Sequence, residues 1–247
     1  MSSDALILAI DAGNSRVKWA LHDGCDFVLD GRRVLAEAEQ LRHDWAGLAA
    51  PHTVISANVA GEVAATAIAA AAAPWGRQVR FVAARAQQCG VKSRYADPTQ
   101  LGADRWAALI AARALGAAPR LVICAGTAVT IDALLEDGTF PGGIILPGFD
   151  LMHDVLASST AQLSAQRGEF REFPRSTPEA ISSGAIQAIC GAIERMHELL
   201  WAQAGSEPDI VVSGGSAQLL ARHLHRPVQV RDRLVLEGLI RIAGTPE

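Results

Sequence analysis

Asp11 and Lys18 lie either side of Gly13-Asn14-Ser15, inside the otherwise largely apolar run Ala9–Leu21. A turn of glycine and small polar residues exposes backbone N–H groups with little obstruction, which suits phosphate oxygens. Asp11 at a strand end can hold Mg²⁺ directly or through water, since that ion takes few carboxylates and keeps its waters. Lys18 can neutralise phosphate as a point cation. The competing reading is a solvated hairpin end with a turn-forming Asp and a surface Lys. A second constellation, Gly102-Ala103-Asp104-Arg105, opens the Ala-rich stretch that follows. There an Asp that accepts a hydroxyl proton and an Arg that grips a carboxylate would form a small-molecule phosphoryl-acceptor site. An acid in a first helical turn also serves simply as a dipole partner.

The elements that must position these residues follow from punctuation and periodicity. Ala5–Ala12 and Arg16–His22 read as adjacent strands joined by a tight turn. Val28–Leu35, Thr53–Ala57 and Val79–Val82 read as further strands, and Gly61–Ala73 as a closely packed helix. The segment from Ala103 to Gly116 predicts a helix. A strand, turn, strand, Asp137-Gly138 hairpin and strand follow from Leu121, then a polar stretch from Ser158 to Ser176. Thr177-Pro178-Glu179 supplies a capping hydroxyl, a first-turn proline and an early acid, and predicts a helix running to about Ala204. The segment Asp209–Leu224 reads as strand, Gly214-Gly215 turn and helix, and Arg233–Ile242 as a last helix. Placed without gaps, Leu8, Ile10, Ala12, Gly13, Ala20 and Leu21 match Leu121, Ile123, Ala125, Gly126, Ala133 and Leu134. Either two Ala/Leu-rich hairpins coincide or the chain is internally duplicated. Duplication gives an α/β protein of two domains, 1–116 and 117–247.

Composition bounds the rest. Half of the 247 residues are hydrophobic, 19% are charged and the net charge is −4, which marks an apolar globular chain with no general case for nucleic acid or acidic lipid. The four cysteines form no CxxC pair, so a zinc cluster is not expected and reduced thiols in the cytoplasm are. The N-terminus lacks the basic flank of a signal peptide, and no spanning helix is expected. Neither a Walker P-loop nor G-x-G-x-x-G is present, so a nucleotide would be bound another way.

Taken together, these segments resemble the type III pantothenate kinases, members of the superfamily of acetate and sugar kinases, actin and heat-shock ATPases. The D-x-G-N-[ST]-x-x-K segment is matched by Asp11, Gly13, Asn14, Ser15 and Lys18. Tyr95 precedes G-x-D-R at Gly102–Arg105, and G-T-A-x-T-x-D is matched from Gly126 through Thr127 to Asp132. A glycine-rich segment follows at Gly142, Gly143, Ile145, Pro147 and Gly148, and the family's later helix opens at Thr177. The resemblance implies two duplicated ribonuclease-H-like domains with ATP between them. It implies phosphorylation of pantothenate to 4′-phosphopantothenate, the first step of coenzyme A synthesis, by a cytoplasmic homodimer whose acceptor pocket lies at the subunit interface. Asp104 would be the base, with Tyr95, Gly102, Ala103, Arg105 and Thr177 around pantothenate. Asp11, Ala12, Gly13, Asn14, Ser15, Arg16, Val17 and Lys18, with Thr127, would hold ATP, and Asp11 its Mg²⁺ through water. The rival implications are a superfamily kinase or phosphatase with another acceptor, and a nucleotide-binding accessory protein with little catalysis. One position departs from the family: where an Asp usually binds a monovalent cation, K⁺ or NH₄⁺, this chain has Cys124.

Overall fold

The structure, a computed structural model, describes residues 6–159 and 166–245. Ala5, the expected start of the first strand, lies outside the described residues, as do residues 160–165 of the polar stretch. The described residues divide into two compact units, one running up to Leu115 and taking in those from Arg233 onward, the other lying between Gly116 and Asp232.

In the first unit, β1 (Ile7–Ala12), β2 (Arg16–His22) and β3 (Phe27–Val34) make an antiparallel meander. The short helix α1 (Leu41–Trp45) leads into β4 (Thr53–Asn58), which lies parallel to β1 on its other side. Helix α2 (Glu62–Ala72) and β5 (Val79–Phe81) complete a sheet ordered β3-β2-β1-β4-β5. Leu8, Ile10 and Ala12 enter a core with Leu41, Trp45, Val54 and Ile68. Strand alternation therefore turns Ala9 and Asp11 to the opposite face. A small hairpin, β6 (Gln87–Gln88) and β7 (Val91–Ser93), precedes α3 (Ala103–Arg113), which is buried almost all round.

The second unit repeats the plan. Strands β8 (Arg120–Ala125) and β9 (Ala128–Leu134) form a hairpin, the two-residue β10 (Thr139–Phe140) follows, and β11 (Gly142–Pro147) pairs with β9. Helices α4 (Phe149–Ser159) and α5 (Thr177–Ala204) precede β12 (Asp209–Ser213), parallel to β8. After α6 (Ala217–Ala221) comes β13 (Gln229–Val230), which gives the order β11-β9-β8-β12-β13. Two meanders, each extended by two parallel strands, are the duplication in structural form.

The two hairpins differ in one respect that the ungapped match hides. Ala12 pairs with Val17 across the first turn, whereas Ala125 pairs with Val129 across the second. The second turn is one residue shorter, so β9 is offset by one position. Leu8, Ile10, Ala12 and Gly13 keep their counterparts in the second unit, but Lys18 corresponds by pairing to Thr130 and not to Ile131.

The C-terminal helix α7 (Leu234–Ala243) belongs to the first unit, whereas the sequence division assigned all of 117–247 to the second. Its Gly238 lies against the backbone of Ala107 in α3, so closely that a Cβ there would overlap the Ala107 carbonyl. The small residues of α3 let α7 approach closely, and α7 buries its own apolar residues Leu234, Val235, Leu239 and Ile242. Helix α4 was not evident as an element in the sequence. Only Phe149 and His153 of it are buried, so no clean apolar stripe marks it.

Candidate active site

In the first unit the site is built from one strand end, one turn and one helix start. Gly13 donates its N–H to the Arg16 carbonyl at 3.0 Å, which closes the turn, and Leu35 donates to the Ser15 carbonyl at 3.0 Å, which fixes the turn to the end of β3. Asn14, Ser15 and Arg16 are exposed, while Ala12 and Val17 are buried beneath them. Lys18 stands directly across the sheet from Asp11. Asp11 has a pKa pushed up to about 6, first by burial and further by the Asp104 charge, with Lys18 acting the other way. Asp104, in the first turn of α3, is near enough for its charge to act on Asp11.

Gly102 is the N-cap of α3 and provides no side-chain cap. The Asp104 carboxylate instead accepts the Arg105 N–H through Oδ1 at 2.8 Å. Arg105 is 5% exposed, an unusual place for a guanidinium unless something compensates it. Its Nη1 donates to the Tyr95 hydroxyl at 3.3 Å, and its guanidinium lies 6.0 Å from the Tyr95 ring centre. Ala103, the first residue of α3, is buried next to them. The structure thus brings Asp11, Lys18, Asp104, Arg105 and Tyr95 into one unit. Two neighbouring carboxylates, one carrying a raised pKa, fit a divalent cation held through water, and Mg²⁺ needs no denser ligand set when phosphate oxygens complete its shell. Among the described residues no group of three or more His, Cys, Asp or Glu gathers to hold a metal by itself.

The second unit carries a different set. Gly126, Thr127 and Ala128 form the exposed turn between β8 and β9, and Gly126 donates to the Ala128 carbonyl at 3.0 Å. Gly148 donates to the Thr127 carbonyl at 2.8 Å and sits where a Cβ would overlap the Gly126 and Thr127 carbonyls. Gly214, at φ +105°, lies against Ala125, and Ser216 donates to the Ala125 carbonyl at 3.1 Å. Glycine-bearing segments therefore pack on the Gly126-Thr127 turn and on Ala125 just before it, and such exposed backbone is of the kind that receives phosphate. The glycines at 148 and 214 are signalled in the sequence, but where they pack is not.

Cys124 occupies the position that Asp11 holds in the first unit. Its cross-strand neighbours are Thr130 and Ser213. Asp132 is on the same face, and its carboxylate lies over Gly143 of β11. Cys124 thus puts a thiol, a soft ligand, where the first unit has the Asp11 carboxylate.

Thr177 is the first residue of α5, and the cap is one residue earlier than the sequence suggested. Ser176 accepts the Glu179 N–H at 3.5 Å, and the Glu179 carboxylate accepts the N–H of Arg175, just before the cap, at 3.0 Å, so capping falls to Ser176. The exposed Thr177 lines a cavity of about 1020 Å³ whose other walls include Pro147, Leu151, Val155, Leu156 and Ile181.

A family model described as type III pantothenate kinase matches residues 7–199. The type III pantothenate kinase of Nitrosospira multiformis is 44% identical over 238 residues, which is 96% of this chain and 91% of that protein. Among solved structures, a Baf family protein from Campylobacter jejuni superposes with a TM-score of 0.61 at 19% identity, covering 95% of this chain and 96% of its own. The glucokinase of an Antarctic psychrotroph superposes at 0.53 with 10% identity, covering 98% and 99%, so the fold is that of the sugar kinases and actin-like ATPases. The D-x-G-N-S-x-x-K turn and the G-x-D-R helix start lie within the matched residues, and the chain belongs to the type III pantothenate kinase family.

Proposed function

We propose that this chain transfers the γ-phosphoryl group of ATP to the primary hydroxyl of pantothenate, giving 4′-phosphopantothenate and ADP, with Asp104 as general base. The observation that carries this reading is the placement of Asp104 and the buried Arg105 side by side at the start of α3, in the locality of Asp11. The Arg105 N–H holds one Asp104 oxygen and so orients the carboxylate. The other oxygen takes the hydroxyl proton as the new P–O bond forms and the bond to the ADP oxygen breaks. Arg105, braced by Tyr95, grips the pantothenate carboxylate, and Gly102 and Ala103 give the acceptor close approach to the helix start. The turn Asp11–Lys18 and Thr127 hold the phosphates. Asp11 holds Mg²⁺, which offsets phosphate charge when bound. The reading includes no monovalent cation. It places the reaction in the cytoplasm, in keeping with four cysteines outside any disulfide; among the described residues no helix is long and apolar enough to cross a membrane.

We further infer a homodimer in which Thr177 serves the partner's acceptor pocket. The support is the apolar cavity beside Thr177, where Leu151, Val155 and Leu156 on α4 are 38%, 49% and 40% exposed. An apolar surface of that kind favours cover by another chain.

Replacing Asp104 with Asn, close to isosteric, is expected to lower kcat by about 10²–10⁴-fold while the variant stays folded and still binds Mg-ATP. Near-normal turnover would remove Asp104 from the role of base. Co-expression of Asp104→Asn chains with Thr177→Arg chains, each inactive alone, is expected to restore about a quarter of wild-type activity, since half of randomly paired dimers are mixed and each has one intact pocket. No recovery in purified mixed dimers contradicts sharing of the pocket.

Asp11 gives a pH signature in the ligand-free protein. Its pKa is higher folded than unfolded, so its contribution to stability is full below pH 3.8 and is lost as pH rises through about 6. Asp11→Asn is therefore expected to be more stable than wild type by about 1–3 kcal/mol at pH 7.5, with the gain shrinking toward pH 4. Denaturant unfolding at the two pH values checks this. A variant less stable than wild type at pH 7.5 would show that Lys18 outweighs burial.

A further inference from the structure

The segment from the β6–β7 hairpin to Tyr95 makes two side-chain contacts with the start of α3, and only one of them involves residues assigned to the site. Gln88 and Val91 pair across a two-residue turn whose Cys89 and Gly90 have φ of 48° and 79°. These left-handed values belong to the tight turn that matches strand twist. Cys89 is the one non-glycine residue with positive φ among the described residues, so the turn is held tight against a local preference. Ser93 donates its N–H to the Ala86 carbonyl at 2.9 Å, extending the ladder, and its hydroxyl accepts the Tyr95 N–H at 3.2 Å. Tyr95 is thus carried by the hairpin. At the tip, the Cys89 sulfur lies 3.3 Å from the Thr245 hydroxyl, just beyond α7.

The second contact runs from Gln88 to α3. Trp106 follows Arg105 directly and is fully buried, and its indole Nε1 donates to Gln88 Oε1 at 2.9 Å. Consecutive residues of α3 therefore bond to one short hairpin segment, Arg105 to Tyr95 and Trp106 to Gln88. A buried indole N–H without an acceptor is costly, so the Trp106 bond has a strong preference for one placement of the hairpin. The Arg105–Tyr95 contact, at 3.3 Å and partly exposed, is long for a hydrogen bond and is the weaker of the two.

We propose that Gln88 is a positioning residue for the acceptor site. By accepting the Trp106 N–H it fixes the hairpin against the first turn of α3 and so sets the spacing of Tyr95 from Arg105. This rests on the reading that Tyr95 and Arg105 hold pantothenate. Gln88 touches neither ATP-binding turn in this account, so its loss acts on one substrate.

The test is steady-state kinetics of the purified enzyme with each substrate varied in turn. Gln88→Leu is expected to raise KM for pantothenate about tenfold, leaving KM for ATP and kcat within about twofold. Gln88→Glu, which keeps an acceptor oxygen, is expected to recover most of that loss. Trp106→Phe removes the donor and is expected to give the same selective rise, and adding Gln88→Leu to it should cost little more. An unchanged pantothenate KM in Gln88→Leu, or equal rises in both KM values, overturns the role of Gln88. If Gln88→Leu does not fold, Trp106→Phe decides by the same criteria. A wild-type enzyme that does not phosphorylate pantothenate overturns the acceptor reading itself, and the Gln88 role with it.

Discussion

The carboxylate of Asp11 is held near the end of a strand in which Leu8 to Ile10 and Ala12 are buried, and much of the first unit follows from that constraint. Leu8, Ile10 and Ala12 commit β1 to the core with α1 and α2, so alternation leaves Asp11 no orientation except the opposite face. On that side burial raises its pKa to about 6, and the Asp104 charge adds to the effect. A pair of carboxylates in such surroundings is unfavourable until a cation joins it. The arrangement is therefore unfavourable in isolation and complementary to a metal-bound phosphate chain, which accords with a site whose stability is given up for binding.

The surrounding elements limit how far these groups can move. Close packing of Gly238 of α7 on Ala107 fixes α3 along its length, and the hairpin of Gln88 and Tyr95 fixes its first turn. The second unit uses backbone where the first uses charge. Gly148 packs so close to the Gly126-Thr127 turn, and Gly214 to Ala125 just before it, that side chains would not fit. The same meander thus supports a carboxylate and lysine in one copy and closely packed glycine segments in the other. With Cys124 in place of an acid, the second copy carries no counterpart of the Asp11 charge at that strand end.

Local chemistry made several parts legible in the sequence. The paired strands around Gly13-Asn14-Ser15, the helix at Asp104-Arg105 and the long helix to Ala204 are each announced by residues at their own ends. Features set by distant partners were not legible. The shorter turn at Gly126-Thr127 is hidden because Ala and Leu recur often enough to preserve an ungapped match past the real offset. The return of α7 to the first unit depends on Gly238 meeting Ala107, a contact between residues more than a hundred positions apart. The cap of α5 fell to Ser176 because Glu179 sits three residues after it and not after Thr177. Gln88 carries no motif at all, and its importance lies only in the indole it faces.

The most direct measurement is product analysis of the purified chain with Mg-ATP, with and without pantothenate, reading ADP and the phosphorylated acceptor together. One 4′-phosphopantothenate is expected for each ADP, with little ADP release when pantothenate is withheld. ADP release that is indifferent to pantothenate, or nucleotide binding with no phosphorylated acceptor, would contradict it.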